Sequence, residues 1–221
     1  MPPPPILTSA RLAGALAELG ARDPDLAAVV RAFGPPPMWR REAGFATLVL
    51  LILEQQVSLA SARATCARLT ERAGGTLTPQ SVAALDDAAF RAAGVSRQKT
   101  AYVRALGGAV AGGALDVGRL ARMSDEAVRA ALVQVKGIGL WTADVYLLMA
   151  LRRPDVWPSR DLALQVAARD VKRLPDRPSA AALDALGEAW RPWRAVAARV
   201  LWHHYLNTVR KRPPAAAGGP A

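Results

Sequence analysis

Apolar residues recur at helical spacing along almost the whole chain, and the interruptions are residues that start or stop helices; strand-like alternation is not sustained anywhere. The nearest approach to it, residues 47–51, lies inside a longer helical run. A cap at Ser9 predicts a helix over 9–19 with Gly20 behind it, and Asp23 before Pro24 opens a second that ends by Gly34 and Pro35. Residues 45–54 form the most apolar helix and are expected to be buried. Residues 59–72 are amphipathic and close on Gly74 and Gly75. Thr78 with Pro79, then Asp86, start short helices; Gly94 stops the second, and Ser96 caps a helix over 97–111. Ser124 begins a helix to 134, a glycine hairpin follows, and 140–151 is its partner. After a loop over 152–160 with Pro154 and Pro158, helices over 162–173, 180–190 and 194–209 complete an all-α chain. The expected architecture is one compact unit over 1–210 made of two helical lobes with a cleft. One lobe is centred on 45–150; the other combines the N-terminal helices with 155–210, and 211–221, rich in Pro, Ala and Gly, is expected to be a disordered tail.

With 221 residues and 52% hydrophobic content the chain can bury a substantial core. Its 29 Lys and Arg against 18 Asp and Glu give a net charge of +11. That excess fits a polyanionic partner or, more plainly, a solvated basic surface. The single cysteine, Cys66, excludes an intrachain disulfide, a cysteine-ligated iron–sulfur cluster and a four-cysteine zinc site. His203 and His204 are adjacent and form no metal motif; a helix flank suits them. The N-terminus lacks a basic segment followed by a long apolar one, and the run over 45–53 is too short to span a bilayer. A cytoplasmic protein with no membrane association is expected.

Residues 133–162 concentrate the chemistry. Gly137 and Gly139, in a G-I-G turn, allow close backbone approach, and the helix behind them begins with exposed N–H donors where an anion can sit. Lys136 adds a cation and Thr142 a hydroxyl, a set suited to backbone phosphates read without sequence. A plain helix connection, with Thr142 capping its own helix, accounts for the same residues. Asp161, directly before an apolar helix, is either a helix cap or a catalytic carboxylate.

Four segments in order, Ile52–Ser58 (ILEQQVS), Gly94–Lys99 (GVSRQK), Lys136–Ala143 (KGIGLWTA) and Trp190–Arg194 (WRPWR), resemble the 3-methyladenine DNA glycosylase II family. This alkylation-repair family belongs to the helix-hairpin-helix, Gly/Pro-Asp superfamily of base-excision glycosylases. The resemblance runs over roughly 45–203 and fits the short, helical form without the N-terminal β domain of longer members. It implies a monofunctional enzyme, without a cofactor, that flips alkylated bases such as 3-methyladenine and 7-methylguanine out of double-stranded DNA and hydrolyses the N-glycosidic bond. The other class it admits is a helix-hairpin-helix module that only binds DNA. A monomer acting in a bacterial-type, nucleoid-associated cytoplasmic setting is the corresponding expectation.

By the same resemblance Asp161 is the catalytic acid, and Trp141, Trp202 and Val145 line the base pocket, with Val145 replacing an aromatic residue of some relatives and leaving more room. Gln56 fills the gap left by the flipped nucleotide; Arg97, Lys99, Lys136, Gly137, Gly139 and Thr142 meet the DNA backbone. Carbonyls of Val133, Val135 and Ile138 are placed to hold a monovalent cation, with no other metal required. Strand-cutting relatives carry a Schiff-base lysine where this chain has Trp141, which cannot form one. Arg160 departs from the family pattern: its charge beside Asp161 is expected to lower that carboxyl's pKa or to contact phosphate. Asp144 is the runner-up acid, while Trp190 and Trp193 read as core.

Overall fold

The computed structural model describes residues 4–208, so the tail expected to be disordered lies outside the described residues. The helices, in order, are α1 (Ser9–Arg22), α2 (Pro24–Phe33), α3 (Phe45–Glu54), α4 (Leu59–Arg72), α5 (Pro79–Ala84), α6 (Asp87–Ala92), α7 (Arg97–Ala111), α8 (Asp125–Val133), α9 (Leu140–Met149), α10 (Leu162–Val171), α11 (Ala180–Gly187) and α12 (Arg194–Asn207). Two 3₁₀ turns, Leu120–Arg122 and Glu188–Trp190, accompany them, and no strand is present among the described residues. Boundaries follow the breakers with three differences. Thr8, not Ser9, caps α1, through a bond from the Arg11 N–H. Gly20 lies inside α1 and not behind it, packed against α2 with the Ala27 Cβ 3.4 Å from where a Cβ on Gly20 would be. The expected helix over 180–190 tightens into a 3₁₀ turn after Gly187, where a Cβ would lie 2.7 Å from the Trp157 indole nitrogen. No helix among the described residues is long and apolar enough to cross a membrane.

Two compact units divide the chain. The first comprises residues 4–6 and Trp39–Arg153; the second comprises Leu7–Met38 and residues 154–208. In the first unit α3 and α9 pack on each other, and each is buried along most of its length, 47–49 and 51–54 in α3 and 142–148 in α9. That placement explains their all-round apolar sequences. α4 and α7 flank α3, and α8 runs back along α9 through the hairpin.

The second unit is built on α12, whose residues 195–202 are all buried against α10, α2 and α1. Arg199 is among them with no exposure; its Nε donates to the Met38 carbonyl at 3.1 Å and Nη1 to that of Ala195 at 2.9 Å. Burial pushes its pKa down to about 10, which still leaves it charged at neutral pH. Asp23 ties the unit together: while capping α2 it accepts from Lys172 Nζ at 2.6 Å and from the Trp190 indole at 2.7 Å. Trp190 is therefore a core residue, stacked edge-on against Trp157 with centroids 5.2 Å apart.

Burial alone would raise the Asp23 pKa, but the bonds from Lys172, Trp190 and the Leu26 N–H bring it below the ordinary carboxylate value. A carboxyl with a depressed folded pKa stabilises the fold above its unfolded pKa and loses that contribution as pH falls through the folded one. Asp23→Asn keeps the cap and removes the charge, so it is expected to cost about 2 kcal/mol at neutral pH. Denaturant midpoints across pH are expected to fall less steeply below about pH 4 in this variant than in the parent protein. An unchanged neutral midpoint would contradict this assignment.

Candidate active site

Asp161 is positioned from both sides of its own loop. Its backbone N–H bonds the Pro158 carbonyl at 2.9 Å, and Gln165 of α10 reaches back to the Ser159 carbonyl at 2.9 Å. As the N-cap of α10, its Oδ1 accepts the Leu164 N–H at 2.9 Å. The same oxygen accepts the indole N–H of Trp202, from α12, at 3.0 Å. Two donors on one oxygen fix the rotation of the carboxylate, which remains partly solvent-accessible. Cap and chemically oriented acid are thus combined in one residue. Trp202, read from sequence as a pocket wall, orients Asp161 through its edge and is only 8% exposed. Arg160, next in the loop, is exposed, and Leu162 on the other side is the most exposed large apolar residue described, at 58%.

In the first unit the hairpin joins α8 to α9. Gly137 has φ +92, and a Cβ there would run into the Tyr102 ring of α7, so this position admits only glycine for two independent reasons. Gly139 differs: its φ of −95 suits any residue, and nothing lies within 4 Å of its Cβ position. The first glycine makes the turn and the second leaves open space over the backbone. Gly139 also starts α9 without a side-chain cap, so that helix presents its first N–H donors beside exposed Lys136. Trp141 is half-buried in the first turn.

Several side chains have roles other than the expected ones. The Thr142 hydroxyl, 1% exposed, points inward and accepts from Gln55 Nε2 at 3.1 Å, so only its backbone remains suited to phosphate. Lys99 is half-buried and donates to the Leu53 carbonyl at 2.7 Å, with burial lowering its pKa; it braces the end of α3, in contrast to the expected backbone contact. Val145 is 3% exposed and packed within buried α9. Asp144 forms a 2.6 Å ion pair with Arg129, which removes it as an alternative acid. Arg97 is exposed in the first turn of α7, and His203 and His204 lie on α12, bonded to the Phe33 carbonyl and the Asp170 carboxylate. Among the described residues no group of three or more His, Cys, Asp or Glu side chains is arranged to hold a metal. Of the three hairpin carbonyls, that of Val135 accepts the Ile138 N–H at 3.0 Å, so a monovalent cation would share it.

Sequence reasoning missed Tyr102, Gln55 and the orienting role of Trp202. Only Gln55 left a signal, as the neighbour of Gln56 in a Gln-Gln pair.

Residues 49–192 match the HhH-GPD superfamily of base excision DNA repair proteins. The chain belongs to that superfamily. It is 29% identical over 180 residues to DNA-3-methyladenine glycosylase 1 of Schizosaccharomyces pombe, covering 80% of this chain and 79% of that protein. A Bacillus subtilis relative matches at 32% identity over 124 residues, and the chain spans 43% of that protein's length. Its fold resembles the crystal structure of a DNA-3-methyladenine glycosidase from Bacillus halodurans, with TM-score 0.75, 30% identity, and coverage of 89% of this chain and 91% of that one. It also resembles the Schizosaccharomyces pombe 3-methyladenine DNA glycosylase in complex with abasic DNA, with TM-score 0.77, 27% identity, and coverage of 86% and 95%. The hairpin and the acid both fall inside the matched segment.

Proposed function

We propose that this HhH-GPD protein is a monofunctional DNA-3-methyladenine glycosylase, acting as a monomer on double-stranded DNA that carries alkylated bases. The observation that carries the reading is the orientation of Asp161 by the Leu164 N–H and the Trp202 indole. A carboxylate held this way in a base-excision family is built for chemistry beyond helix capping. In a non-catalytic DNA-binding module the same carboxylate would serve only as the cap of α10.

The mechanism follows from charge. Lys136, the Gly137–Gly139 backbone and the uncapped start of α9 hold phosphates, with Arg97 and Arg160 as further backbone contacts. Gln56 enters the space vacated by the flipped nucleotide, and Trp141, half-buried in the first turn of α9, receives the base. A 3-methyladenine or 7-methylguanine base is cationic, and aromatic faces bind such a base at about 0.5–2 kcal/mol per contact. The C1′–N bond breaks with its electron pair going to the base, which leaves neutral and needs no general acid. Asp161 stabilises the positive charge that develops on the sugar and takes the proton of the water that attacks C1′. The hydrolysed product is an intact strand with an abasic site. The Val133, Val135 and Ile138 carbonyls, neutral oxygens at the hairpin, suit a monovalent cation that would strengthen the phosphate grip. Such an enzyme works in the cytoplasm on the nucleoid.

Incubation with dimethyl sulfate-treated duplex is expected to release free 3-methyladenine and 7-methylguanine while leaving uncleaved abasic strands. No adduct is expected to be trapped by borohydride. Affinity for undamaged duplex is expected to fall steeply as salt rises. Salt-sensitive binding with no base released would favour the non-catalytic reading, and a trapped adduct would overturn the monofunctional one.

A further inference from the structure

Residues 53–55, immediately before Gln56, are each tied to a different part of the first unit. The Leu53 carbonyl, at the end of α3, accepts from Lys99 Nζ of α7 at 2.7 Å. Glu54, 6% exposed, is held by the two terminal guanidinium nitrogens of Arg41 at 2.9 and 2.8 Å, and the Arg41 backbone N–H in turn bonds the Met149 carbonyl at the end of α9. Gln55 Nε2 donates to the Gly137 carbonyl at 2.8 Å and to Thr142 Oγ1 at 3.1 Å, spanning the hairpin and the first turn of α9. After these anchors the chain turns through Gln56 at φ +57 and restarts at Ser58, the cap of α4. A non-glycine residue in the left-handed region persists where its surroundings over-determine it. Here the surroundings are the three anchors on one side and the α4 cap on the other. The result is an exposed tip, Gln56 with Val57 at 45% exposure, fastened through Gln55 to the glycine turn.

We propose that Gln55 and Lys99 are positioning residues for base extrusion, clamping the Gln56 tip at a fixed offset from the phosphate-binding hairpin. The inference rests on the glycosylase reading above. Through Gln55, seating of the hairpin on the backbone sets where the tip enters the duplex; through Lys99, the end of α3 is kept from fraying behind it. Neither side chain needs to touch DNA for this. An error of about an ångström in such a tip lowers the rate of a positioned step by up to about a hundredfold while leaving the phosphate grip intact.

The experiment compares the full-length parent with Gln55→Glu, which cannot donate the two hydrogen bonds, Lys99→Met, and Lys99→Arg as the conservative rescue. Three quantities are read for each: affinity for undamaged duplex, fluorescence of 2-aminopurine placed opposite or beside the lesion as the signature of extrusion, and single-turnover excision at saturating enzyme. The clamp predicts that Gln55→Glu and Lys99→Met lose about tenfold or more in extrusion amplitude and excision rate while duplex affinity changes by less than about threefold. Lys99→Arg is expected to recover most of the loss. Thermal melting identifies a variant that has lost its fold; should Lys99→Met be one, Gln55→Glu at its half-buried position decides the question alone. Variants that extrude and excise like the parent overturn the clamp, as does an equal loss of affinity and rate. A parent protein that neither extrudes nor excises overturns the glycosylase reading and the clamp with it, whereas an active parent with unaffected variants overturns the clamp alone.

Discussion

Asp161→Asn is expected to leave the protein folded and to slow release of methylated bases by about two to three orders of magnitude. The substitution is unusually clean. Asparagine ranks with aspartate as an N-cap, and its side-chain oxygen still accepts from the Leu164 N–H and the Trp202 indole, so α10 keeps its start and the loop its shape. What disappears is the negative charge and the basic oxygen that the proposed mechanism uses. Asp161→Ala would confound the two roles, because losing the cap costs about 1 kcal/mol of stability as well. Single-turnover excision with saturating enzyme, accompanied by a melting curve, separates them. Undiminished excision by a folded Asn variant would sink the proposed mechanism.

Gly137→Ala is expected to be the most damaging single-methyl change in the hairpin, lowering unfolding free energy by about 3 kcal/mol. Two costs add: the backbone is at φ +92, and the new Cβ has no room beside the Tyr102 ring. Displacement of the turn disturbs the backbone proposed to hold phosphate and so weakens DNA binding, and because the Gly137 carbonyl accepts from Gln55 it also shifts the Gln56 loop. Gly139→Ala is the control. With φ −95 and no atom within 4 Å of its Cβ position, it is expected to leave urea midpoints within about 0.5 kcal/mol of the parent value. Equal destabilisation by the two substitutions would show that the glycines are not divided into one that shapes the turn and one that opens it.

The difference between those glycines was invisible in G-I-G, and it marks the general boundary of what the chain discloses. Caps, proline stops and glycine ends act on the few residues around them, which is why Asp23, Thr78, Asp86, Ser96, Ser124 and Asp161 placed helix starts correctly from sequence. Gly20 misled because a glycine inside a helix looks the same in sequence as one that ends a helix. The acid and the hairpin were legible as well, since Asp161 and the residues from Lys136 to Thr142 keep a local order.

By itself, then, the sequence determined an all-helical protein, its helix starts, a strongly basic charge, and a glycine hairpin followed by a single acid in the order shared with base-excision glycosylases. Only the tertiary structure decided how the long polar side chains are spent. Lys99, which the family resemblance assigns to the DNA backbone, and Arg199, which carries no sequence signal, turn inward to backbone carbonyls, and Thr142, Gln55 and Trp202 brace the hairpin and the Asp161 loop. The physical reason is that a flexible donor has no sequence-local preference among acceptors. Its partner is whichever buried oxygen helix packing leaves within reach, and leaving that oxygen unpaired would cost more than committing the side chain.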